Sequence, residues 1–184
     1  MTGLASKSQL RMSFLRYALF TVPAVLLLGT LSGTLSGSGN GNAWFASLYK
    51  PPIMPPGWAF GAAWTFLYIL LGLSLAMVLH AHGAKDRMRA LRLFALQLVL
   101  NFAWSPVFFG FHQIQTGLSL IVAMIVVTVA MVFVIWRIRV LAALLLYPYL
   151  GWLIFAGLLN YQILMLNPHA GTLAPRPAST DIPL

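Results

Sequence analysis

Five long apolar runs, separated by short polar stretches, set the rhythm of this chain. They cover about residues 14–35, 58–80, 93–111, 114–136 and 141–166. Each is close to the roughly 20 residues that a helix needs to cross a bilayer at about 1.5 Å rise per residue. No Lys, Arg, Asp or Glu stands at the centre of any run, and Arg16 falls only at the entry of the first. The pattern predicts an all-α membrane protein: one integral membrane domain over 1–184, built as a bundle of five transmembrane helices, with a flexible C-terminal tail over 167–184.

Composition sharpens this reading. Of 184 residues, 60% are hydrophobic and 7% charged, where a soluble domain carries about 25% charged residues. So much apolar surface needs lipid as its solvent. With no cysteine, disulfides and thiol chemistry are excluded. The two acids, Asp86 and Asp181, lie in different polar segments, which excludes paired-carboxylate mechanisms.

A net charge of +9 raises nucleic-acid binding, but the placement of the charges argues against it. Lys7, Arg11 and Arg16 precede the first run. Lys85, Arg87, Arg89 and Arg92 separate the second from the third, and Arg137 and Arg139 the fourth from the fifth. If five helices alternate across the membrane, these residues share one face, and only Lys50 and Arg176 fall on the other. Basic loops stay cytoplasmic, so the N-terminus is expected inside and the charge is a topology signal. The same basic start with an apolar run from Tyr17 to Leu28 also describes a cleavable signal peptide, which would leave four helices. Extension of the run to Leu35 favours a full span.

Gly29 to Asn42 reads as a flexible exit from the first helix; close helix approach at Gly29, Gly33 and Gly37 is the alternative. Pro51, Pro52, Pro55 and Pro56 then forbid a regular helix, and Trp44, Phe45 and Tyr49 precede them. A rigid aromatic lid loop between helices one and two is expected, long enough to fold over the helix ends. Pro106 and Pro148 are expected to kink the third and fifth helices.

Polar groups within the runs must be paired or face a cavity. Asn101 follows Gln97 by one turn, and Asn160 sits late in the fifth run. Each fits an interhelical hydrogen bond or a polar anchor for a ligand. Trp152, Ala156 and Asn160 stack at four-residue spacing on one face; Trp64 and Tyr68 do the same, and Asn101, Trp104 and Phe108 roughly share another. Ala156 leaves a gap beside Trp152 that a flat ligand or another helix would fill. Trp58 and Trp136, near helix ends, read as interfacial anchors. His80, His82, His112 and His169 lie in or beside loops and read as solvated. No metal site, Ser–His–acid set or phosphate-binding loop is present in the sequence.

These motifs resemble the tryptophan-rich sensory protein family, also called the translocator protein or peripheral benzodiazepine receptor family. The resemblance rests on Trp44, Tyr49, Lys50, Pro51 and Pro52, followed by Pro55, Pro56, Gly57, Trp58, Phe60, Trp64, Thr65 and Tyr68. Asn101, Trp104, Ser105, Pro106, Val107, Phe108, Phe109 and Gly110 extend it, as do Tyr147, Pro148, Tyr149, Leu150, Trp152, Phe155, Ala156, Asn160, Tyr161, Leu166 and Asn167. It implies a homodimeric five-helix bundle with a lidded pocket for porphyrins (protoporphyrin IX, haem) and benzodiazepine-type drugs, and no obligatory cofactor. The resemblance carries over Trp64, Asn101, Trp104, Trp152 and Ala156 as pocket residues; with Trp44 from the lid and Tyr68, Phe108 and Asn160 from the shared helix faces, they make up the expected ligand-binding set. If the porphyrin is degraded in light, as reported for some bacterial members, Trp64 and Trp152 are the residues concerned.

The sequence departs from the family in two places. The sterol motif of animal members needs a base soon after its tyrosine, and Tyr161 is followed by none through Ala170. Ile53 and Met54 replace a lid aromatic. The leading expectation is a receptor or sensor in a bacterial inner membrane rather than an outer one. A photo-oxidative porphyrin-degrading enzyme and a transporter of amphipaths are the alternatives.

Overall fold

The computed structural model describes residues 7–170; most of the expected tail, with Arg176 and Asp181, lies outside them. All the regular structure described is helical: α1 Lys7–Leu35, α2 Ala43–Ser47, α3 Gly57–His80, α4 Arg87–Ser105 continued by a π-helical turn Pro106–Gly110, α5 Ile114–Trp136, α6 Val140–Leu144 and α7 Tyr147–Leu166. Five helical stretches are long and apolar enough to span a bilayer, and the first apolar run is one of them.

α1 belongs to the bundle because two backbones approach closely. Thr21 Oγ1 donates to Gly72 O at 2.8 Å across the α1–α3 seam, and a β-carbon on Gly72 would stand 2.6 Å from Val22 Cα. Gly29, expected in a flexible exit, instead lies inside α1 against the Tyr68 ring. The chain turns only afterwards, at Gly37 (φ 61°) and Gly39 (φ 115°), where glycine tolerates positive φ.

The prolines act in three ways. Pro23 is absorbed within α1. Pro106 produces a π turn in place of a simple kink: lacking an N–H, it leaves the ladder, and Phe111 N donates back to Pro106 O at 2.8 Å. Pro148 does not kink a continuous helix as expected. The fifth span breaks between α6 and α7, and Pro148 lies in the first turn of α7, where its missing donor costs nothing.

The two ends of the bundle are distinct. At one end Tyr17 Oη contacts His82 Nε2 at 3.2 Å, Arg139 Nη2 lies 3.1 Å from His80 Nδ1, and the Arg87 guanidinium donates to Val78 O and Leu79 O. The start of α1, the α3–α4 loop and the α5–α6 loop thus share one end, as alternating spans require. His80 and His82 are engaged there rather than merely solvated, because the loops bring them onto Tyr17 and Arg139. At the opposite end, α2 and the proline segment fold over the helix ends.

Between the ends, a buried polar network ties α3, α4 and α7. Gln97 Nε2 and Asn101 Nδ2 donate to Tyr149 Oη at 2.7 and 2.9 Å, and Tyr68 Oη donates to Asn101 Oδ1 at 3.0 Å. Tyr149 is fully buried. Tyr149→Phe strands both amides in lipid-depth protein, at about 1–3 kcal/mol for each unsatisfied group. Thermal unfolding in detergent is expected to show a clearly lowered midpoint; an unchanged midpoint would mean the amides find other partners.

Candidate ligand cavity beneath the lid

The helix packing leaves a cavity of about 440 Å³, within the range of small-molecule sites. α1 contributes Gly29 and Gly33, and the lid Phe45, Met54 and Pro55; α3 gives Trp64 and Tyr68, α4 Asn101 and Trp104 with Phe108 beyond it, and α7 Trp152, Ala156 and Asn160. No Lys, Arg, His, Asp or Glu lines it.

The aromatic walls are held in fixed pairs. Trp64 and Trp152 meet nearly edge to face, centroids 6.3 Å apart at 80°, and Phe60 abuts Trp152 at 5.8 Å. Trp64 leans on Tyr68 at 5.2 Å. Across the cavity Trp104 stacks on Phe108 at 5.0 Å and 18°. Gly33 and Ala156, small residues in the cavity wall, leave room beside these rings, while Gly29 admits the Tyr68 ring where a side chain would collide with it.

The lid is built as carefully as the walls. Asn42 Oδ1 caps α2 by accepting from Phe45 N at 2.9 Å. Lys50 Nζ donates to Phe45 O at 2.9 Å and sits 4.8 Å above the Phe45 ring, closing the far end. Asn167, just past α7, clasps Tyr49: its Oδ1 accepts from Tyr49 N and its Nδ2 donates to Tyr49 O, both at 2.9 Å.

Eight of the nine residues expected from the sequence therefore line one cavity: Trp64, Tyr68, Asn101, Trp104, Phe108, Trp152, Ala156 and Asn160. Trp44 does not. It is 1% exposed, stacks on His112 at 4.3 Å and 16°, and donates from Nε1 to Ala170 O at 3.0 Å. It anchors the lid from behind, and His112, read as solvated, is half-buried beneath it. Asn101 lines the wall with its amide spent on Tyr68 and Tyr149. Asn160, 2% exposed, has no partner at either amide atom, and Trp104 Nε1 and Trp152 Nε1 are likewise buried without one.

Phe45 and Met54 were expected in the lid but not as cavity lining, and Tyr149 and Asn167 were given no part in building the site. Tyr149 precedes Trp152 by three positions and so shares its helix face, a signal that was available. Asn167 lies beyond the last apolar run, and nothing local indicates its contact with Tyr49. No group of three metal-ligating side chains is found among the described residues.

Comparison with known proteins decides the family. Residues 21–166 match the model of the TspO/MBR family. The chain belongs to that family. It is 38% identical over 147 residues to the tryptophan-rich protein TspO of Archaeoglobus fulgidus, covering 80% of this chain and 94% of the relative. It is 40% identical over 149 residues to the translocator protein of Bos taurus (77% and 88%) and 36% over 124 residues to the tryptophan-rich sensory protein of Cereibacter sphaeroides (67% and 77%). As a TspO/MBR member with five spanning helices, it is an integral multi-pass membrane protein.

Proposed function

We propose that this protein is a membrane receptor or sensor that binds porphyrins, protoporphyrin IX or haem, and similar flat hydrophobic ligands in the lidded cavity. The names of its relatives, a sensory protein and a translocator protein, fit the coarse role. The observation that carries the finer reading is the uncharged aromatic cavity, with Trp64 and Trp152 set at right angles beneath a clasped lid. Such walls offer a π-face to one side of a macrocycle and an edge to the other. An unpaired buried carboxylate is costly, so the porphyrin's propionates belong at the polar rim near Ser38 and Asn40.

Tryptophan-fluorescence quenching with protoporphyrin IX, in the dark, tests this. Saturable quenching is expected, and the Trp64→Ala, Trp152→Ala double variant should weaken affinity at least about tenfold, since each aromatic contact is worth about 0.5–1.5 kcal/mol beyond its area. Unchanged affinity would remove the cavity assignment. Repeating the titration under light separates binding from the photo-oxidative alternative, which uses the same two indoles.

A further inference from the structure

At the end of the bundle opposite the lid, charge is unbalanced. Arg16 on α1, Lys85 and Arg87 at the α3–α4 connection, Arg89 and Arg92 on α4, and Arg137 and Arg139 between α5 and α6 stand against Asp86, the one acid among the described residues. All of these cations except Arg87 are exposed. Topology accounts for their lying on one side, but it does not supply the negative charge that balances them.

Two arginines meet the end of α3 in different ways. Arg87 is spent there: its Nε and Nη2 donate to Val78 O at 3.3 Å and Leu79 O at 3.0 Å, carbonyls at a helix C-terminus, where a cation is favoured. Arg139 is held beside them without being neutralised. Its Nη2 lies 3.1 Å from His80 Nδ1, and because a guanidinium only donates, that ring nitrogen is the acceptor. Arg139 thus rests on an uncharged partner, and the rest of its fork is left for an acceptor outside the chain. The neighbourhood of this turn is apolar and open to lipid. Trp136 is 45% exposed just before Arg137, and on α6 Val140, Leu141 and Leu144 are 46%, 58% and 46% exposed. A tryptophan at the end of a span sits at headgroup depth, which places Arg137 and Arg139 among lipid phosphates and α6 along the acyl chains.

We infer that the α5–α6 turn, with Arg137 exposed and Arg139 braced on His80 at the end of α3, is a binding site for the headgroup of an anionic phospholipid whose acyl chains lie along α6. The guanidinium fork matches the phosphate oxygens and pairs with them through charge-assisted hydrogen bonds. Basic clusters at the cytoplasmic end of spanning helices recognise anionic lipid in this way. A zwitterionic headgroup brings its own cation into a region already rich in them, and a free phosphate leaves the exposed face of α6 without a partner. The site lies at the other end of the bundle from the aromatic cavity and is independent of what that cavity holds.

The test follows the thermal midpoint of the full-length protein in dodecyl maltoside micelles titrated with phosphatidylglycerol, with phosphatidylcholine of the same acyl chains, or with inorganic phosphate. A ligand that binds only the folded protein raises the midpoint. Phosphatidylglycerol is expected to raise it saturably, while phosphatidylcholine at equal mole fraction and inorganic phosphate leave it nearly unchanged. In the Arg137→Gln, Arg139→Gln double variant the apparent affinity for phosphatidylglycerol should fall at least about tenfold, since each interfacial cation contributes about a factor of five. The Arg89→Gln, Arg92→Gln double variant removes the same charge from α4 and should keep most of the shift. Should the first double variant not fold, raising NaCl tenfold on the unaltered protein should abolish the phosphatidylglycerol shift, because exposed charge pairs are screened. An equal shift from phosphatidylcholine, a shift from inorganic phosphate alone, the same loss in both double variants, or a shift that survives the added salt would each overturn the inference.

Discussion

Trp44→Ala is expected to open the lid without unfolding the bundle. Truncating a buried tryptophan costs about 3–5 kcal/mol, and here three contacts go at once: the stack on His112, the edge contact with Phe108 at 5.6 Å, and the hydrogen bond to Ala170 O. α2 has only five residues and cannot hold its position by helix propensity, since short helices are marginal alone. The lost energy therefore appears locally, as opening of residues 42–56. Hydrogen exchange should accelerate across that segment, and the protoporphyrin dissociation rate should rise at least about tenfold, a factor that about 1.4 kcal/mol suffices to produce. The melting midpoint of the five spans should change little. Unaltered lid exchange would mean that the Asn167 clasp on Tyr49 holds the lid by itself. Trp44→Phe should recover the stacking but not the hydrogen bond, and so fall between the two.

Gly72→Val acts on the bundle instead. In lipid, spanning helices associate through close packing and hydrogen bonding rather than hydrophobic exclusion, and the α1–α3 seam uses both at this residue. A β-carbon would meet Val22 Cα at 2.6 Å and Val22 N at 3.1 Å. Both are backbone atoms, so no rotamer change relieves the clash. α1 must move, and the bond from Thr21 Oγ1 to Gly72 O goes with it. Overpacking typically costs about 1–3 kcal/mol, and losing a buried hydrogen bond adds about 1 kcal/mol. The variant should show a strongly lowered midpoint in detergent and faster proteolysis within α1. Gly151→Ala is the control: nothing lies within 4 Å of its added β-carbon, and the midpoint should hold or rise slightly. A Gly72→Val midpoint equal to that of Gly151→Ala would mean that the seam is not close-packed.

Much of this architecture could be read along the chain. Five apolar runs of bilayer length, with three basic residues at the start of the first and six between alternate pairs, give the span number and a sidedness, because lipid leaves a spanning backbone no choice but to satisfy itself as helix. Four prolines within six residues, 51–56, mark the lid. Four-residue spacing put Trp152, Ala156 and Asn160 on one face, and all three line one cavity.

What the chain withheld is which polar residues are spent and which are free. Asn101 and Asn160 look alike in sequence, each an amide within an apolar run. Tertiary packing gave Asn101 two tyrosines and left Asn160 with none, because partners come from other helices whose rotation and depth no local pattern encodes. For the same reason Trp44 ended behind the lid rather than in the cavity, and Asn167 gained the Tyr49 backbone 118 positions away. Solvent, number of spans and aromatic faces are legible in the chain, since each follows from local composition and helical period. Which side chain holds the lid, which closes the core network and which amide is left without a partner came from helix packing, because a hydrogen bond between helices depends on angstrom-scale placement of two segments distant in the chain.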